Sequence, residues 1–412
     1  MRVLQLGKFY PIKGGVEKVE YDLTMGLSEH GVDCDMLCAT VIGKEEKRGR
    51  HGRVIFCRTW KEIAGTMIAP SMITTLRRIC RKYDIIHVHH PDPMACMALF
   101  FSGYKGKVVL HWHSDIVRQK RLLTLYRPFQ KWLIRRADLI VGTTPIYTKE
   151  SNDLQEVQNK TDYLPIGVDE IPIDMEGAQR LRDKYLGHKI IFSLGRLVPY
   201  KGYSNLIKAA SLLPDNYVVI IGGTGPLREE LDRMIDALKL RNKVKLIGFV
   251  KNEEISAYYT ACDLFCLPSV QKTEAFGIVQ IEAMSLGKPV VATKIPGSGT
   301  AWVNEHGISG LNVTPQKPEE IAEAIQIITK DSDVYEVYAA GARERYENLF
   351  TKDKMVEGCL RIYERLTRNE ERLTINEERG TVNGERGTVN GERGTVNGER
   401  GTRNAHTLHS KH

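Results

Sequence analysis

The sequence predicts an α/β protein made of two Rossmann-like domains that face each other across a cleft. Three observations support this fold class. The chain has 412 residues, more than the roughly 250 to 300 at which a single core stops growing. Short apolar runs alternate with longer helical patterns, as in parallel sheets covered by helices. The alternation pauses once, around Pro165 to Gly187, and then starts again.

The first domain is expected to span residues 1–170. Val16, Val19, Leu23 and Leu27 have helical spacing, and this helix follows the first strand through the flexible pair Gly14-Gly15. The expected strands are 2–6, 32–38, 84–89, 107–112, 138–142 and 161–164.

A linker over residues 171–188 and a second Rossmann-like domain over 189–350 follow. Their boundary rests on the two prolines, the glycines and the dense charge of the pause. Open α/β sheets bind ligands outside the carboxyl ends of their strands, so two such halves imply a cleft that holds the site. The expected strands are 189–194, 216–222, 243–247, 263–267 and 289–292, and the last helices are 317–328, 333–347 and 352–366.

Residues 368–412 are expected to form a disordered tail. The seven-residue unit Glu-Arg-Gly-Thr-Val-Asn-Gly occurs three times from Glu378 to Gly398 and is truncated at Thr402. One aliphatic side chain per unit cannot bury enough surface to offset the entropy of ordering the chain. We interpret the repeat as a sequence duplication.

Composition excludes several other classes of protein. The longest apolar run, Met94 to Phe101, is far shorter than the roughly 20 residues of a membrane-spanning helix. Met1-Arg2 leads directly into a strand pattern and not into a signal peptide, so a cytoplasmic location is expected. The eight cysteines are scattered among apolar neighbours and are expected to be buried thiols.

Two glycine-rich segments follow strands of the second domain. The first, Gly195 to Gly202, contains Arg196, with a fork of donors, and Lys201, with a mobile charge, which together suit a diphosphate. The second, Gly222 to Pro226, opens a helix whose first amides can face an anion. Taken alone, each segment could equally be an ordinary turn between a strand and a helix.

The segment from Glu274 to Glu282 is more specific. It places one carboxylate in a loop and the other about one turn inside the following helix. Such a pair can bind two sets of hydroxyls on one extended ligand, while the amides of residues 276–279 face its phosphates. The alternative is two solvated glutamates, which would also require the basic and glycine-rich segments to be coincidental.

Taken together, these motifs resemble the retaining glycosyltransferases of family four, which have the two-domain GT-B fold. The likeness covers roughly residues 1–367, and its specificity lies in the order and spacing of the motifs. They are Gly14-Gly15-Val16-Glu17, His111-Trp112-His113-Ser114-Asp115, Pro165-Ile166-Gly167-Val168-Asp169, Gly195-Arg196 with Lys201-Gly202, Gly222 to Pro226, and Glu274 with Glu282.

The resemblance implies a role for each of these positions. Arg196 and Lys201 would hold the donor diphosphate, Glu282 the ribose hydroxyls and Glu274 the donor sugar. His113 would lie beside the reacting sugar, and the helix over 351–367 would cross back onto the first domain. The remaining donor-binding positions are Gly15, Gly223, Gly225, Phe276, Gly277, Ile278 and Val279.

One segment departs from the family pattern. Many relatives have a Gly-Gly-Ile-Pro-Glu-like sequence after the strand at 289–292, whereas this chain has Pro296-Gly297-Ser298-Gly299-Thr300-Ala301-Trp302. The glutamate of that motif is absent, so no role is carried over to this position. The sugar that the site accepts is left more open.

Histidines cluster at the ends of two strands that could be neighbours. Three imidazoles would suffice for zinc. Alternation along the strand, however, puts His87 and His89 on one face and His90 on the other, and the sequence offers no recognisable carboxylate or cysteine to complete a set with His111 and His113. The family resemblance also implies chemistry without a metal. We therefore expect neither a metal site nor a cofactor.

The basic charge is concentrated in the first half of the chain. Residues 1–170 hold 26 Lys/Arg and 19 Asp/Glu, an excess of seven positive charges, while the whole chain has a net charge of +8. Residues 116–137 contain no acidic side chain and interleave aromatic and basic residues at helical spacing, which is typical of contact with an anionic membrane surface. An ordinary helix packed by its apolar stripe remains the alternative. Without a recognised motif, a nucleic-acid partner is not expected. The basic residues are Arg118, Lys120, Arg121, Arg127, Lys131, Arg135 and Arg136, with a second cluster at Arg77, Arg78, Arg81 and Lys82.

The sequence thus predicts transfer of a sugar from a GDP- or UDP-linked donor to a glycan or glycolipid acceptor, with retention at the anomeric carbon. The resemblance implies bacterial cell-surface polysaccharide synthesis on a lipid carrier, peripheral to the inner face of the plasma membrane. Two alternatives stay open, a nucleotide-sugar epimerase on the same fold and a non-catalytic membrane-associated scaffold.

Overall fold

The computed structural model describes residues 1–12, 14–41, 46–47, 51–116 and 120–368. Residues Met1–Cys359 form one compact unit that contains both sheets. The predictions made for Arg118 and for the repeats of the tail lie outside the described residues. Within them, no helix is both long and apolar enough to cross a bilayer.

The first sheet has eight strands in the order β10-β9-β8-β7-β1-β2-β4-β3. All neighbours are parallel except the pair β3–β4. Val3, Leu4 and Leu6 are fully buried because helices cover both faces of this sheet. Its strands and those of a separate hairpin are β1 (Arg2–Tyr10), β2 (Asp33–Thr40), β3 (Glu46–Lys47), β4 (Arg53–Arg58), β5 (Lys61–Ile63), β6 (Thr66–Ile68), β7 (Ile85–His90), β8 (Lys107–Trp112), β9 (Leu139–Gly142) and β10 (Thr161–Tyr163).

The third and fifth helices of this half begin at sequence signals for a helix start. Asp92 caps the third helix by accepting a hydrogen bond from the amide of Met94 at 2.9 Å, and Pro93 occupies its first position. Val19, Leu23 and Leu27 are buried along the first helix, as their spacing predicts. The helices are α1 (Gly15–Glu29), α2 (Ser71–Ile79), α3 (Pro93–Ser102), α4 (Lys120–Arg136) and α5 (Pro145–Glu150).

The second sheet is wholly parallel, in the order β13-β12-β11-β14-β15-β16. The order reverses direction between β11 and β14, and this topological switch point is where such sheets bind ligands. Every strand that the sequence predicts is present, while β3 to β6 and β16 were not predicted. The strands are β11 (Lys189–Leu194), β12 (Tyr217–Gly222), β13 (Val244–Gly248), β14 (Leu264–Leu267), β15 (Val290–Thr293) and β16 (Gly310–Val313).

The interval between the two sheets, residues 171–188, contains a helix. Arg182 on that helix donates two hydrogen bonds to Asp263, at 2.9 and 2.8 Å, which ties the interval to the second half. The helices after the first sheet are α6 (Met175–Lys184), α7 (Tyr203–Leu212), α8 (Arg228–Ala237), α9 (Asn252–Ala261), α10 (Ile278–Ser285), α11 (Thr300–Val303), α12 (Pro318–Lys330), α13 (Ser332–Leu349) and α14 (352–368).

The chain returns to the first half at its last helix, as the family resemblance implies. The amide of Val168 donates to the carbonyl of Phe350 at 2.9 Å, just before α14 begins. Val356 packs directly against Gly26 of α1, and Cys359 Sγ lies 3.9 Å from Nδ1 of His87. The first two turns of α14 therefore contact α1 and the central strand β7.

Candidate active site

Two glycine-rich loops at the ends of β11 and β12 pack directly against each other. The amide of Gly195 donates to the carbonyl of Gly222 at 3.0 Å, and that of Leu197 to Thr224 at 2.9 Å. A Cβ on Gly223 would collide with the Gly195 carbonyl, and one on Gly225 with the backbone of Leu197. Gly223 and Gly225 are thus required for contact between the loops, a reason that the sequence did not reveal.

The two predicted cations lie at the end of β11 in different environments. Arg196 is exposed. Lys201, on the short helix Pro199–Lys201, is buried, with Nζ 2.6 Å from Oε2 of Glu274. The side chains of Lys201 and Glu274 are 11% and 10% exposed. Each charge is therefore largely removed from water and is compensated by the other. The structure therefore brings together Lys201 and Glu274, which the sequence places 73 positions apart.

Glu274 is held by two further contacts. Ser269 Oγ donates to its carboxylate at 2.9 Å, and Ser298 Oγ donates to its backbone carbonyl. The amide of Gly299 donates to the carbonyl of Ala275 at 2.8 Å. The segment that departs from the family pattern thus positions the Glu274 loop through Ser298 and Gly299.

Helix α10 begins at Ile278, directly after this loop. Gly277 precedes it with φ of 77°, a left-handed conformation that favours glycine. A Cβ there would lie 2.7 Å from both Gln280 Nε2 and Leu267 Cδ2. Phe276 is buried edge-on against Phe350, which leaves its backbone rather than its ring for a ligand.

Glu282 lies one turn inside α10, as predicted. Its Oε2 accepts a hydrogen bond from the Tyr259 hydroxyl at 2.8 Å, and the same hydroxyl lies 3.3 Å from the carbonyl of Val279. Burial raises the pKa of the Glu282 carboxyl above its ordinary value, with the Tyr259 hydrogen bond opposing that shift. Tyr259 was missed by sequence analysis, because its distance in sequence hides the contact.

The first half contributes the start of α1 to the same place. A Cβ on Gly15 would lie 2.9 Å from Cδ1 of Ile278, so α1 and α10 begin opposite each other. Both helices carry partial positive charge at these ends. An anionic ligand beside these two helix starts would therefore face amide groups from both halves of the chain.

A cation and carboxyl cluster beside Gly15 was not predicted. Lys8 follows the predicted part of β1, and its Nζ lies 3.4 Å from Oε1 of Glu17. The amide of Lys8 donates to Glu20 at 3.1 Å. Burial raises the pKa of Glu20 well above its ordinary value and that of Asp92 to about 6. The buried acidic positions on α1, out of place on an apolar face, were the available signal.

Four imidazoles stack in the centre of the first sheet. The rings of His87 and His89 are 4.9 Å apart, and those of His111 and His113 are 4.0 Å apart. His89 Nδ1 lies 2.9 Å from His113 Nε2, and its Nε2 lies 2.8 Å from Gln5 Oε1. His113 is thus the last member of a hydrogen-bonded chain of buried side chains that runs through His89 to Gln5.

His87 and His89 lie on one face of β7 and His90 on the other, as alternation along the strand predicts. His90 lies on the opposite face, where its ring stacks on Trp112 at 3.8 Å. Nitrogens of His87, His89 and His111 all lie within 4.8 Å of one another, so the geometry brings three potential metal ligands together. Both nitrogens of His89 are already engaged in hydrogen bonds, so a metal would have to displace one of them. The expectation of a metal-free site stays a prediction.

Burial keeps these histidines neutral. It lowers the pKa of His113 and His89 well below the ordinary value, and that of His90 and His111 to about 3. His113 therefore offers a neutral hydrogen-bonding group to a neighbouring ligand and not a positive charge.

Near Glu274, an ion pair between Lys272 and Asp115 joins the two halves of the chain. Lys272 Nζ lies 3.0 Å from Oδ2 of Asp115 and donates to the carbonyl of Glu150 at 3.0 Å. Asp115 also accepts hydrogen bonds from Trp112 Nε1 at 2.9 Å and Ser151 Oγ at 2.7 Å. The Asp115 loop and the Glu274 loop are thus held together, and sequence analysis assigned no role to Lys272.

Helix α4 has an apolar stripe that packs inward and an exposed basic surface, the two alternatives that the sequence left open. Tyr126 and Leu133 are buried, so its apolar stripe packs inward. Arg127, Lys131 and Arg135 are exposed. Arg136 instead donates to Asp138 at 3.1 Å and to the carbonyl of Gly106. Contact with a membrane is not tested by this arrangement.

The two halves of the chain match two family models. Residues 13–170 match the model described as Glycosyltransferase Family 4, and residues 178–345 match that of group 1 glycosyl transferases.

Two curated proteins are similar over nearly their whole length. The chain is 31% identical over 380 residues to the O-antigen chain mannosyltransferase C of Escherichia coli, covering 90% of this chain and 100% of that protein. It is 32% identical over 357 residues to the D-rhamnosyltransferase WbpZ of Pseudomonas aeruginosa, covering 85% and 92%.

Among solved structures, Anabaena HepE in complex with UDP-glucose has a TM-score of 0.69 and 22% identity. The superposition covers 88% of this chain and 99% of that one. At this level of identity, the likeness supports the GT-B architecture of two facing Rossmann-like domains.

Proposed function

This chain belongs to the family 4 glycosyltransferases with the GT-B fold, and on that premise we propose that it transfers a hexose from a nucleotide diphosphate sugar to a glycan acceptor in cell-surface polysaccharide synthesis. The donor carries UDP or GDP. The names of the two similar proteins, an O-antigen mannosyltransferase and a rhamnosyltransferase, support the class of acceptor and the sugar. The HepE complex with UDP-glucose supports the class of donor.

One observation carries the proposal. Lys201 and Glu274 form a buried pair at the switch point of the second sheet, beside the amide end of α10 and opposite the amide end of α1. A diphosphate there would be bound by Lys201, Arg196 and the two helix ends, which together offset its charge. Glu274 would accept hydrogen bonds from the donor sugar, and Glu282 from the ribose.

The reaction proceeds with retention at the anomeric carbon. The bond from that carbon to the departing phosphate oxygen breaks, the acceptor oxygen bonds to the same face, and its proton passes to the departing phosphate oxygen. Charge develops on the phosphate during this step, so fixed cations and amides stabilise the transition state. Neutral His113 would donate or accept a hydrogen bond at the sugar, and no metal is required.

The acceptor side and the location of the enzyme belong to the same proposal. The acceptor is linked to a lipid carrier, and the enzyme lies on the cytoplasmic face of the membrane. Exposed Arg127, Lys131 and Arg135 on α4, and the basic end of α2, support contact with anionic lipid.

A panel of nucleotide sugars tests the proposal. The correct donor at about 100 times its dissociation constant stabilises the folded protein by about 2.7 kcal/mol, which thermal unfolding detects. With that donor, a lipid-linked glycan fraction must accelerate release of the nucleoside diphosphate and acquire the labelled sugar. Conversion of the donor to an epimer without any acceptor would establish the alternative chemistry, and binding of no nucleotide sugar would contradict the proposal.

A further inference from the structure

A pocket of about 570 Å³ lies mainly in the first half of the chain. Thr273, which precedes Glu274, forms part of its wall, and so does Asp115, which pairs with Lys272. The pocket therefore borders the two loops that meet next to Glu274. Its volume is within the range of sites that bind small molecules.

Four polar side chains belong to the lining. Lys8, Asp115 and Thr273 come from segments next to the candidate active site, and Thr66 comes from the β5–β6 hairpin. Lys8 and Asp115 are both paired, with Glu17 at 3.4 Å and with Lys272 at 3.0 Å, so these side chains add little net charge to the pocket.

The other walls are apolar. They come from the β5–β6 hairpin, the start of α3 and the first turns of α4, and include Ile63, Met97, Leu123, Leu125 and Phe129. A glycan bound along these walls would lose the hydrogen bonds its hydroxyls make with water, which is unfavourable. A hydrocarbon chain would instead gain free energy from each methylene removed from water.

The outer edge of the pocket exposes apolar side chains. Leu125 is 75% exposed and Ile63 is 43% exposed, although both contribute to the wall. Arg127 and Lys131 are exposed on the same helix as Leu125. An apolar opening beside exposed cations suits a chain that enters from an anionic lipid surface.

We propose that this pocket holds the hydrocarbon chain of a lipid-linked acceptor next to its saccharide. This inference rests on the glycosyl transfer proposed above. Thr273 and Asp115, at the border between the pocket and the candidate active site, would then face the saccharide.

Alkyl phosphates of two lengths test the proposal by calorimetry on the full chain, below their micelle concentrations. Each methylene that enters an apolar site strengthens binding by roughly a factor of four. Decyl phosphate should thus bind at least about 100-fold more tightly than butyl phosphate. In the variant Ile63→Glu/Leu125→Glu, and to a smaller extent in Leu125→Glu alone, this ratio should fall toward one.

Leu186→Glu is the matched control, because Leu186 is 81% exposed, apolar and outside the pocket. It should keep the ratio of the parent. Equal binding of the two phosphates by the parent, or an unchanged ratio in a folded pocket variant, would overturn the proposal. Stabilisation by nucleotide sugars, measured in the same proteins, separates this result from the proposed function, since donor binding does not depend on the pocket.

Discussion

Replacing Lys201 by methionine separates two roles that the structure assigns to one side chain. Lys201 Nζ lies 2.6 Å from Glu274, and the two side chains are 11% and 10% exposed. Removing one partner of a buried ion pair leaves the other charge without compensation and destabilises a protein by about 3–5 kcal/mol. Removing a donor that stabilises charge in a transition state lowers turnover by about 100-fold or more. Lys201→Met should show both effects.

The variant Lys201→Met/Glu274→Gln distinguishes the two roles. Without the Glu274 charge, most of the lost free energy of unfolding should return. Transfer should not return, because the diphosphate still lacks its buried cation. We expect kcat/KM for the double variant to be about 100-fold below that of Glu274→Gln alone.

The assay is release of nucleoside diphosphate in the presence of acceptor, with thermal unfolding of each variant measured in parallel. Lys208→Met, at an exposed lysine on α7, is the matched control and should behave as the parent. Equal kcat/KM for the double variant and for Glu274→Gln would refute the reasoning, since Lys201 would then serve only to neutralise Glu274. The same comparison with Arg196→Ala should show loss of turnover of the same order without loss of stability, because Arg196 is exposed.

Further predictions follow from the same geometry. Gly277→Ala should destabilise the fold and weaken donor binding, because a Cβ at φ of 77° costs about 1–2 kcal/mol and would crowd Gln280; Gly187→Ala, with φ of 79° and open space around it, should show only the conformational cost. The raised pKa of Glu282 means that its carboxylate is protonated at a higher pH than a free glutamate, so donor KM should rise as pH falls through that pKa, and Glu282→Gln should remove the dependence. Transfer should survive thorough chelation with EDTA. Arg127→Glu/Lys131→Glu should weaken sedimentation with anionic vesicles at low salt, where the parent binds, because each basic residue near the lipid contributes about 1 kcal/mol.

Each of these expectations has a contrary result. Equal stability of the two alanine variants would remove the steric argument at Gly277. A pH profile of donor KM that is the same in Glu282→Gln would assign the ribose contact elsewhere. Activity lost on chelation and restored by a stoichiometric divalent metal would instead make His87, His89 and His111 metal ligands. Equal vesicle binding by parent and charge-reversed protein would leave the basic surface of α4 without a membrane role.

The fold could be predicted wherever burial imposed a regular pattern. The central strands of the second sheet are buried along most of their length, so their sequences contain continuous apolar runs, such as Ile190 to Phe192 and Leu264 to Leu267. The strands that were missed lack this pattern. The hairpin strand Lys61–Ile63 is exposed at all three positions, and β16 has only four residues, two of them buried.

The candidate site could be predicted where its chemistry follows a strand directly. Arg196, Lys201 and Glu274 are each found near the carboxyl end of a strand of the second sheet, as expected. Contacts between distant segments could not be predicted, because pairs such as Lys272 with Asp115 depend on how the halves meet and not on local pattern. The contact of Ser298 with the Glu274 loop could not be predicted either, because Ser298 lies in the segment that departs from the family pattern.

The stereochemistry of transfer tests the mechanism most directly. The donor that stabilises the protein is supplied with a ¹³C label at its anomeric carbon, together with the lipid-linked acceptor, and the product is examined by NMR before it can react further. The one-bond coupling between the anomeric carbon and its proton reports the configuration. We predict the configuration of the donor, since the acceptor attacks the face that the phosphate leaves. A product of inverted configuration would contradict the roles assigned to Lys201, Glu274 and the departing phosphate.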